Sequence, residues 1–436
     1  MKVLVVGGGG REHALCWKLS ESPLLSKLYC APGNPGIAEV AERVPIAVEQ
    51  ISRLADFAAE RRIDLTVVGP EVPLALGLAD ELAARGLAVF GPSRLAAELE
   101  GSKVFAKEFM ARHGIPTARF ALAHSPEEAR AAQKAFGFPV VVKADGLAAG
   151  KGVFLPADEA EFDQALAAIF AERRFGDAGD RVVIEEYLPG EEVSFMGLSD
   201  GERVLSLATA KDYKRIGDGD SGPNTGGMGC HSPSGALSAE QAAEVAEKVL
   251  APVVAGMAAE GRRFVGVVYA GLMITPEGPQ VLEFNARFGD PEAQVLMMRL
   301  EDDLLPVLAA GAAGRFERER LAFRPEAAAA VVLASPGYPD RPTTGEPIRA
   351  LDRAATLPGV RIFHAGTAMR EAENLEAGSV LVSAGGRVLN VCALGGDLSE
   401  ALDRAYAAVA AVGWPNKVFR RDIGRRVLSE ERFEPS

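Results

Sequence analysis

The first hundred residues alternate short apolar runs with helix-like stretches, and glycine- or proline-rich loops end the runs. Residues 2–6 (KVLVV), 64–69 (DLTVVG) and 88–90 read as strands, and residues 11–20 and 74–85 as helices. The loops are GGGG at 7–10, APGNPG at 31–36, GPE at 69–71 and GPS at 91–93. Strand, glycine and helix in series predict a parallel sheet with right-handed crossovers. Ligands of such sheets gather at the carboxyl ends of the strands, where these loops lie.

The remaining chain changes character, and the fold class is α/β and α+β multidomain. Strands over 138–144 and 153–155 flank the glycine-rich DGLAAGKG at 145–152, and another strand covers 181–188. Hairpins are expected over 193–208 and 267–286, separated by a long polar loop at 211–229. An Ala-rich strand (327–334) and a helix (398–412) belong to a small third domain.

Composition narrows the function. The 436 residues are 48% hydrophobic, enough for a sizeable core, and carry a formal charge of −13. That balance argues against broad nucleic-acid binding, which needs basic surface. An anionic small molecule held by a few placed cations remains compatible with it. The four cysteines show no metal-binding spacing, which points to a reducing cytoplasm. No apolar run reaches the ~18 residues of a membrane span, and the amino terminus lacks a secretory apolar core.

Several motifs carry chemistry. VLVVGGGGREHA fails as a dinucleotide motif, since Glu12 or His13 falls where a third glycine is needed. It leaves either an anion site at a helix start or a tight structural turn. DGLAAGKG fails as a P-loop because no Ser or Thr follows the lysine and strand, not helix, continues. It reads as a hairpin flap bearing Lys151, with Lys143 just before it, or as a mobile surface hairpin. Lysine is sparse, twelve of 47 cationic residues, and five of them (Lys103, Lys143, Lys151, Lys211, Lys214) lie in glycine-rich motifs. The sharpest pattern is VLEFNARFGDPE at 281–292. Residues two apart on a strand share a face, so Glu283, Asn285 and Arg287 project together. Paired oxygen donors facing phosphates suit Mg²⁺, and the guanidinium suits a transferring phosphoryl group. EEYLPGEE at 185–192 breaks at Pro189–Gly190, either to meet an adenine edge or as a plain turn, with Glu192 in reach of ribose.

Taken together these stretches resemble the glycinamide ribonucleotide synthetases, a family of the ATP-grasp superfamily. The match also includes EGSKVFAKEFM (100–110), VVVKADGLAAGKGV (140–153), DGDSGPNTGGMG (218–229), YAGLM (269–273), HAGT (364–367) and GRVLNV (386–391). The resemblance implies an amino-terminal parallel α/β domain (1–100), an ATP-grasp unit (101–320) with a mobile lid at about 121–187, and a carboxy-terminal α+β domain (321–436). It implies an ATP-dependent ligase joining glycine to 5-phosphoribosylamine, with Mg²⁺ or Mn²⁺, acting as a monomer or weak dimer without nucleic-acid or membrane partners.

By the same resemblance, ATP meets Lys103, Lys143, Gly146, Gly150, Lys151, Gly152, Glu185, Glu186, Leu188 and Glu192. The metal meets Glu283 and Asn285. Arg287, Asp212 and Asn224 are the catalytic candidates. Gly9, Gly10, Arg11, Glu12, His13, Asn34, Glu71, Thr225, Gly226, Gly227 and Asp290 are placed with the substrates. Departures from the family pattern stand at Tyr213, in place of a usual His, and at Cys230–His231, and the strand VVYAGLMI lacks a second acidic ligand. The alternative is another ATP-grasp ligase that activates a different small carboxylate.

Overall fold

The computed structural model describes residues 1–146, 152–371, 379–425 and 427–428. Gly150 and Lys151, expected in the flap, lie outside the described residues. The amino-terminal strands form one parallel sheet in the order Glu42–Arg43, Lys27–Pro32, Lys2–Gly7, Leu65–Val68, Val89–Phe90. Val3, Leu4, Val5 and Val6 are fully buried, as a strand covered on both faces requires. The helix expected over 74–85 is two helices, Glu71–Ala75 and Leu78–Ala84. Gly77 takes φ 86 between them, a left-handed conformation that glycine adopts without steric cost.

The centre is an antiparallel sheet in the order Val204–Ser206, Glu191–Asp200, Val265–Thr275, Gly278–Asn285. Both expected hairpins are therefore present. Above it, Phe120–Ala123, Val182–Glu186, Val140–Ala144 and Val153–Phe154 form a smaller sheet, backed by the helices Pro126–Phe136 and Glu159–Leu166.

The polar stretch at 211–229 is more ordered than the loop expected. It contains a short hairpin, Arg215–Gly217 with Ser221–Asn224. Its ends, Lys211–Asp212 and Gly229–Ser232, join a sheet with Ala327–Ala334, Arg387–Gly395 and Val360–His364. Pairing of Gly229–Ser232 with the Ala-rich strand crosses about a hundred residues of sequence. Local composition carries no trace of such a partner.

These sheets meet on the helix Glu292–Arg299, whose eight residues are all buried. Its Val295, Leu296, Met297 and Met298 share one core with Val3 and Val5, Met196 and Leu198, and Ala328 and Ala330. Full burial of each large apolar side chain contributes about 1.5–3 kcal/mol, so this junction fixes the sheets around the cavity described next. The four cysteines are free and buried. Among the described residues, no helix is long and apolar enough to cross a membrane.

Candidate active site

A cavity of about 1110 Å³ opens between the central sheet, the smaller upper sheet and the hairpin at 215–224. One wall is the end of the Gly278–Asn285 strand. Glu283, Asn285 and Arg287 all line it, as do Leu282 and Phe284, while Ala286 is buried in the apolar cluster behind, to which Phe284 also belongs. Burial pushes the Glu283 carboxyl up, but the ammonium groups of Lys214, Lys143 and Lys103 outweigh it and hold the pKa below the usual value. Arg287 sets its Nη2 3.2 Å from Glu100 Oε1 and its Nε 3.4 Å from Glu71 Oε2. Glu100 also accepts the Ala286 N–H at 2.7 Å, which fixes the start of the turn beyond the strand.

Two hard oxygen donors on one strand face, with an ionised carboxylate among them, fit a divalent cation that takes its remaining ligands from phosphates and water. Among the described residues, no group of three or more acidic, histidine or cysteine side chains forms a cage of its own.

Lysines crowd this part of the cavity. Lys103 begins the helix Lys103–His113 and donates to Gly146 O at 2.8 Å. Asp145, a residue the sequence reading passed over, ties that helix start to the flap strand by accepting from Ser102 Oγ and Val104 N. Lys143 donates to Leu282 O at 2.9 Å and stands 2.9 Å from Glu185 Oε1. The second Glu185 oxygen lies 3.0 Å from Lys107 Nζ, which also donates to Thr117 Oγ1 at 2.6 Å. Burial depresses the Lys107 pKa to about 8, against the pull of Glu185. Lys107 was missed because its partner lies 78 positions along the chain and no local pattern marks it. Glu186 accepts from the Arg119 N–H and Nε, and Leu188 and Gly152 line the same end.

Farther along the cavity, Lys214 pairs with Glu192 and stands 3.8 Å from Glu283. Asp212 is half-buried, and its buried Oδ1 has no hydrogen-bond partner. Burial first, and then the charge of Glu292, raise its pKa well above the carboxylate range. Glu292 Oε1 is held by Tyr269 OH at 2.5 Å and Ser194 Oγ at 2.9 Å. Gly227, at φ 112, closes behind this group: a Cβ there would stand 2.6 Å from Asp212 Oδ1. Asn224, Thr225, Gly226, Asp290 and Arg387 complete the lining. Tyr213 lines it too, with its hydroxyl accepting the Gly424 N–H at 2.9 Å. Cys230 and His231 are buried in the strand pairing with Ala329 and Ala330.

From the amino-terminal loops, only Arg11 and Glu71 of the residues singled out line this cavity. Glu12 turns back to accept the Gly9 N–H at 2.7 Å and pairs with Arg11 at 2.5 Å. The helix start at Gly10–Ser20 is thus capped by its own carboxylate. Asn34 and His13 stitch this unit to the Val360–His364 strand: Asn34 Nδ2 donates to His364 O at 2.8 Å, and the His364 N–H donates to His13 Nδ1 at 2.8 Å. Gly10 faces the same seam. A Cβ there would stand 2.2 Å from Asn390 Nδ2 and 2.6 Å from Gln294 Nε2. Gly10→Ala is therefore expected to cost about 1–3 kcal/mol by overpacking. A urea midpoint equal to wild type would contradict that packing.

Burial holds His13 neutral down to a pKa of about 3, helped by His364 and Arg361, and holds His364 to about 4. Both values lie below the unfolded value of about 6.5, so the unfolded chain binds more protons below that pH. Stability from this seam is complete above pH ~6.5 and is lost as pH falls toward the folded pKa values. Urea midpoints should drop between pH 6.5 and 4.5; a flat profile would contradict it.

Residues 1–100, 101–293 and 328–426 match the N domain, the ATP-grasp (A) domain and the C domain of phosphoribosylglycinamide synthetase. The chain belongs to the phosphoribosylglycinamide synthetase family. Within that family, it is similar to the phosphoribosylamine–glycine ligase of Rhizobium meliloti (strain 1021), 52% identical over 434 residues and covering 99% of this chain and 100% of the relative. The enzyme of the same name from Agrobacterium fabrum is 50% identical, with the same coverage. The crystal structure of the phosphoribosylamine–glycine ligase of Thermotoga maritima superposes with a TM-score of 0.82 at 35% identity, over 97% of this chain and 100% of the other. At 19% identity and a TM-score of 0.74, a biotin carboxylase domain of Hydrogenobacter thermophilus, solved with MgADP and bicarbonate, shares the fold over 100% of this chain and 99% of its own.

Proposed function

We propose that this member of the phosphoribosylglycinamide synthetase family joins glycine to 5-phosphoribosylamine, with ATP cleaved to ADP and phosphate. The observation that carries the reading is that Glu283 and Asn285 at the strand end, and Arg287 just beyond it, line one cavity with Lys103 and Lys143. Its identity to named phosphoribosylamine–glycine ligases over nearly the whole chain supports the substrate pair.

The chemistry requires such a face. A carboxylate resists attack by an amine, because the addition places more charge on an anion and oxide is a poor leaving group. Transfer of the terminal phosphoryl group of ATP to a glycine carboxylate oxygen gives glycyl phosphate and ADP. The amine then attacks the acyl carbon, the C–O bond to phosphate breaks, and a proton leaves the nitrogen. Lys103 and Lys143 neutralise the nucleotide phosphates, and Arg287 holds the transferring group, where preorganised charge is worth most. Asp212, whose Oδ1 is free of hydrogen bonds and which lines the cavity beside Asn224 and Thr225, is the group we place to accept the amine proton.

Glu283 and Asn285 would hold the divalent cation, which would supply positive charge to the phosphate oxygens. Mg²⁺ is our assignment, and Mn²⁺ suits the same oxygens. Glu185, Glu186 and Leu188 border the nucleotide base. Glu192, paired with Lys214, borders its sugar. We read the functional units as 1–100, 101–320 and 321–436, and the protein as cytoplasmic, a reading that its four free cysteines support.

A coupled assay for ADP tests the proposal. Release should require glycine and phosphoribosylamine together. Equal release with bicarbonate or formate in place of glycine would overturn it.

A further inference from the structure

The hairpin Arg215–Gly217 with Ser221–Asn224 is short, two-stranded and largely polar, a structure that is not stable alone in water. Its tip is held from outside. Three successive tip residues each bond to one of three successive residues near the carboxyl terminus. Asp218 Oδ1 accepts the Arg421 N–H at 2.7 Å. The Gly219 N–H donates to Asp422 Oδ2 at 2.8 Å. Asp220 Oδ1 accepts from Arg420 Nη1 at 2.7 Å.

Asp220 adopts φ 54, an uncommon conformation for a non-glycine residue that persists where its surroundings enforce it. Arg420 is the enforcing group. Its side chain is 1% exposed, and its Nε and Nη2 each donate at 2.7 Å to the two Asp422 oxygens. Its Nη1 also reaches Arg215 O at 3.3 Å, so one guanidinium grips both strands' approach to the tip. The Tyr213 ring lies beneath it at 5.1 Å. Behind Arg420, its carbonyl accepts from Tyr406 OH at 3.0 Å, which anchors the segment to the helix Leu398–Ala411.

Gly219, Asp220, Arg420 and Asp422 line the cavity at the tip, and the other end of the hairpin lines it too. The Thr225 N–H and Oγ1 both donate to Lys214 O, at 2.7 and 2.8 Å, and Asn224 and Thr225 line the wall beside Asp212. We propose that Arg420 and Asp422 are positioning residues for the ligase reaction, holding the 215–224 hairpin so that Asn224 and Thr225 stand at the substrate end of the cavity. This rests on the proposed function, and it gives the carboxyl-terminal segment a direct part in arranging that site.

The test uses Asp220→Ala, Arg420→Met and Arg420→Lys in the full chain. The Asp220 side chain is 69% exposed, so its removal releases the tip without disturbing a core. Asp220→Ala and Arg420→Met should each lower kcat/KM for glycine and phosphoribosylamine at least tenfold. ADP affinity, read by calorimetry, should stay within twofold of wild type. Arg420→Lys should recover part of the loss, since an ammonium still reaches Asp220 but lacks the fork that spans Asp422. If Arg420→Met does not fold, Asp220→Ala decides alone. Wild-type kcat/KM in Asp220→Ala, or ADP affinity falling in step with turnover, would overturn the inference while wild type remains active. An inactive wild type would instead overturn the proposed reaction and this inference with it.

Discussion

Replacing Glu283 by glutamine is expected to lower kcat/KM by about 10²–10³, the effect of removing one preorganised charged group from a reacting centre. The substitution keeps the shape of the side chain and its place on the strand, so the fold should survive. It removes the negative charge that Lys214, Lys143 and Lys103 surround. A neutral amide oxygen is a weaker donor to a hard cation than a carboxylate, so Mn²⁺ binding followed by electron paramagnetic resonance should weaken. The three ammonium groups remain to attract phosphates, and ADP binding in the presence of a chelator should not weaken. Loss of turnover with retained nucleotide affinity is thus the expected signature. Turnover within threefold of wild type would remove Glu283 from the reaction.

Arg287→Met should act on both activity and stability. Turnover is expected to fall about 10³-fold, because the group aimed at the transferring phosphoryl is lost. Stability should fall by about 3–5 kcal/mol, the range for breaking a buried ion pair. The cause lies in Glu71 and Glu100, which face the guanidinium from two helices, Glu71–Ala75 and Arg94–Gly101. Burial already raises the Glu100 pKa, and without Arg287 its chief attractive partner is gone. In the variant, a carboxyl whose folded pKa lies above its unfolded value is favoured at lower pH, so the deficit should shrink from pH 8 to pH 5.5. Urea unfolding at the two pH values reads this directly. A variant as stable as wild type at pH 8 would show that the two carboxylates do not depend on Arg287.

The parts of the site legible in sequence were those written into one strand or one loop. Alternation at 281–287 announced Glu283 and Asn285, because period two is a property of the strand itself, and Arg287 enters the cavity just past the strand end. Lys103 and Lys143 stood out against a chain that otherwise uses arginine. Residues that work through distant partners gave no such sign. Lys107, Glu100, Asp145 and Glu292 each take their meaning from a group that another element brings into contact.

The GGGG loop was open to two readings. Its local pattern allowed an anion site or a tight turn, and in the fold Glu12 caps the helix start while Gly10, His13 and Asn34 pack the seam. The stretch at 211–229 looked like loop because its strands are two to four residues long and rich in glycine. Their order comes from the Ala-rich strand and from Arg420 and Asp422, far along the chain.

The central claim is that glycine's own carboxylate oxygen attacks ATP before any amide forms. Glycine labelled with ¹⁸O in both carboxyl oxygens, turned over with ATP and phosphoribosylamine, tests it by mass spectrometry of the phosphate released. One ¹⁸O per phosphate is the result this account predicts, since the bridging oxygen of the acyl phosphate leaves with phosphorus. Phosphate free of ¹⁸O, with product formed at the normal rate, would contradict it.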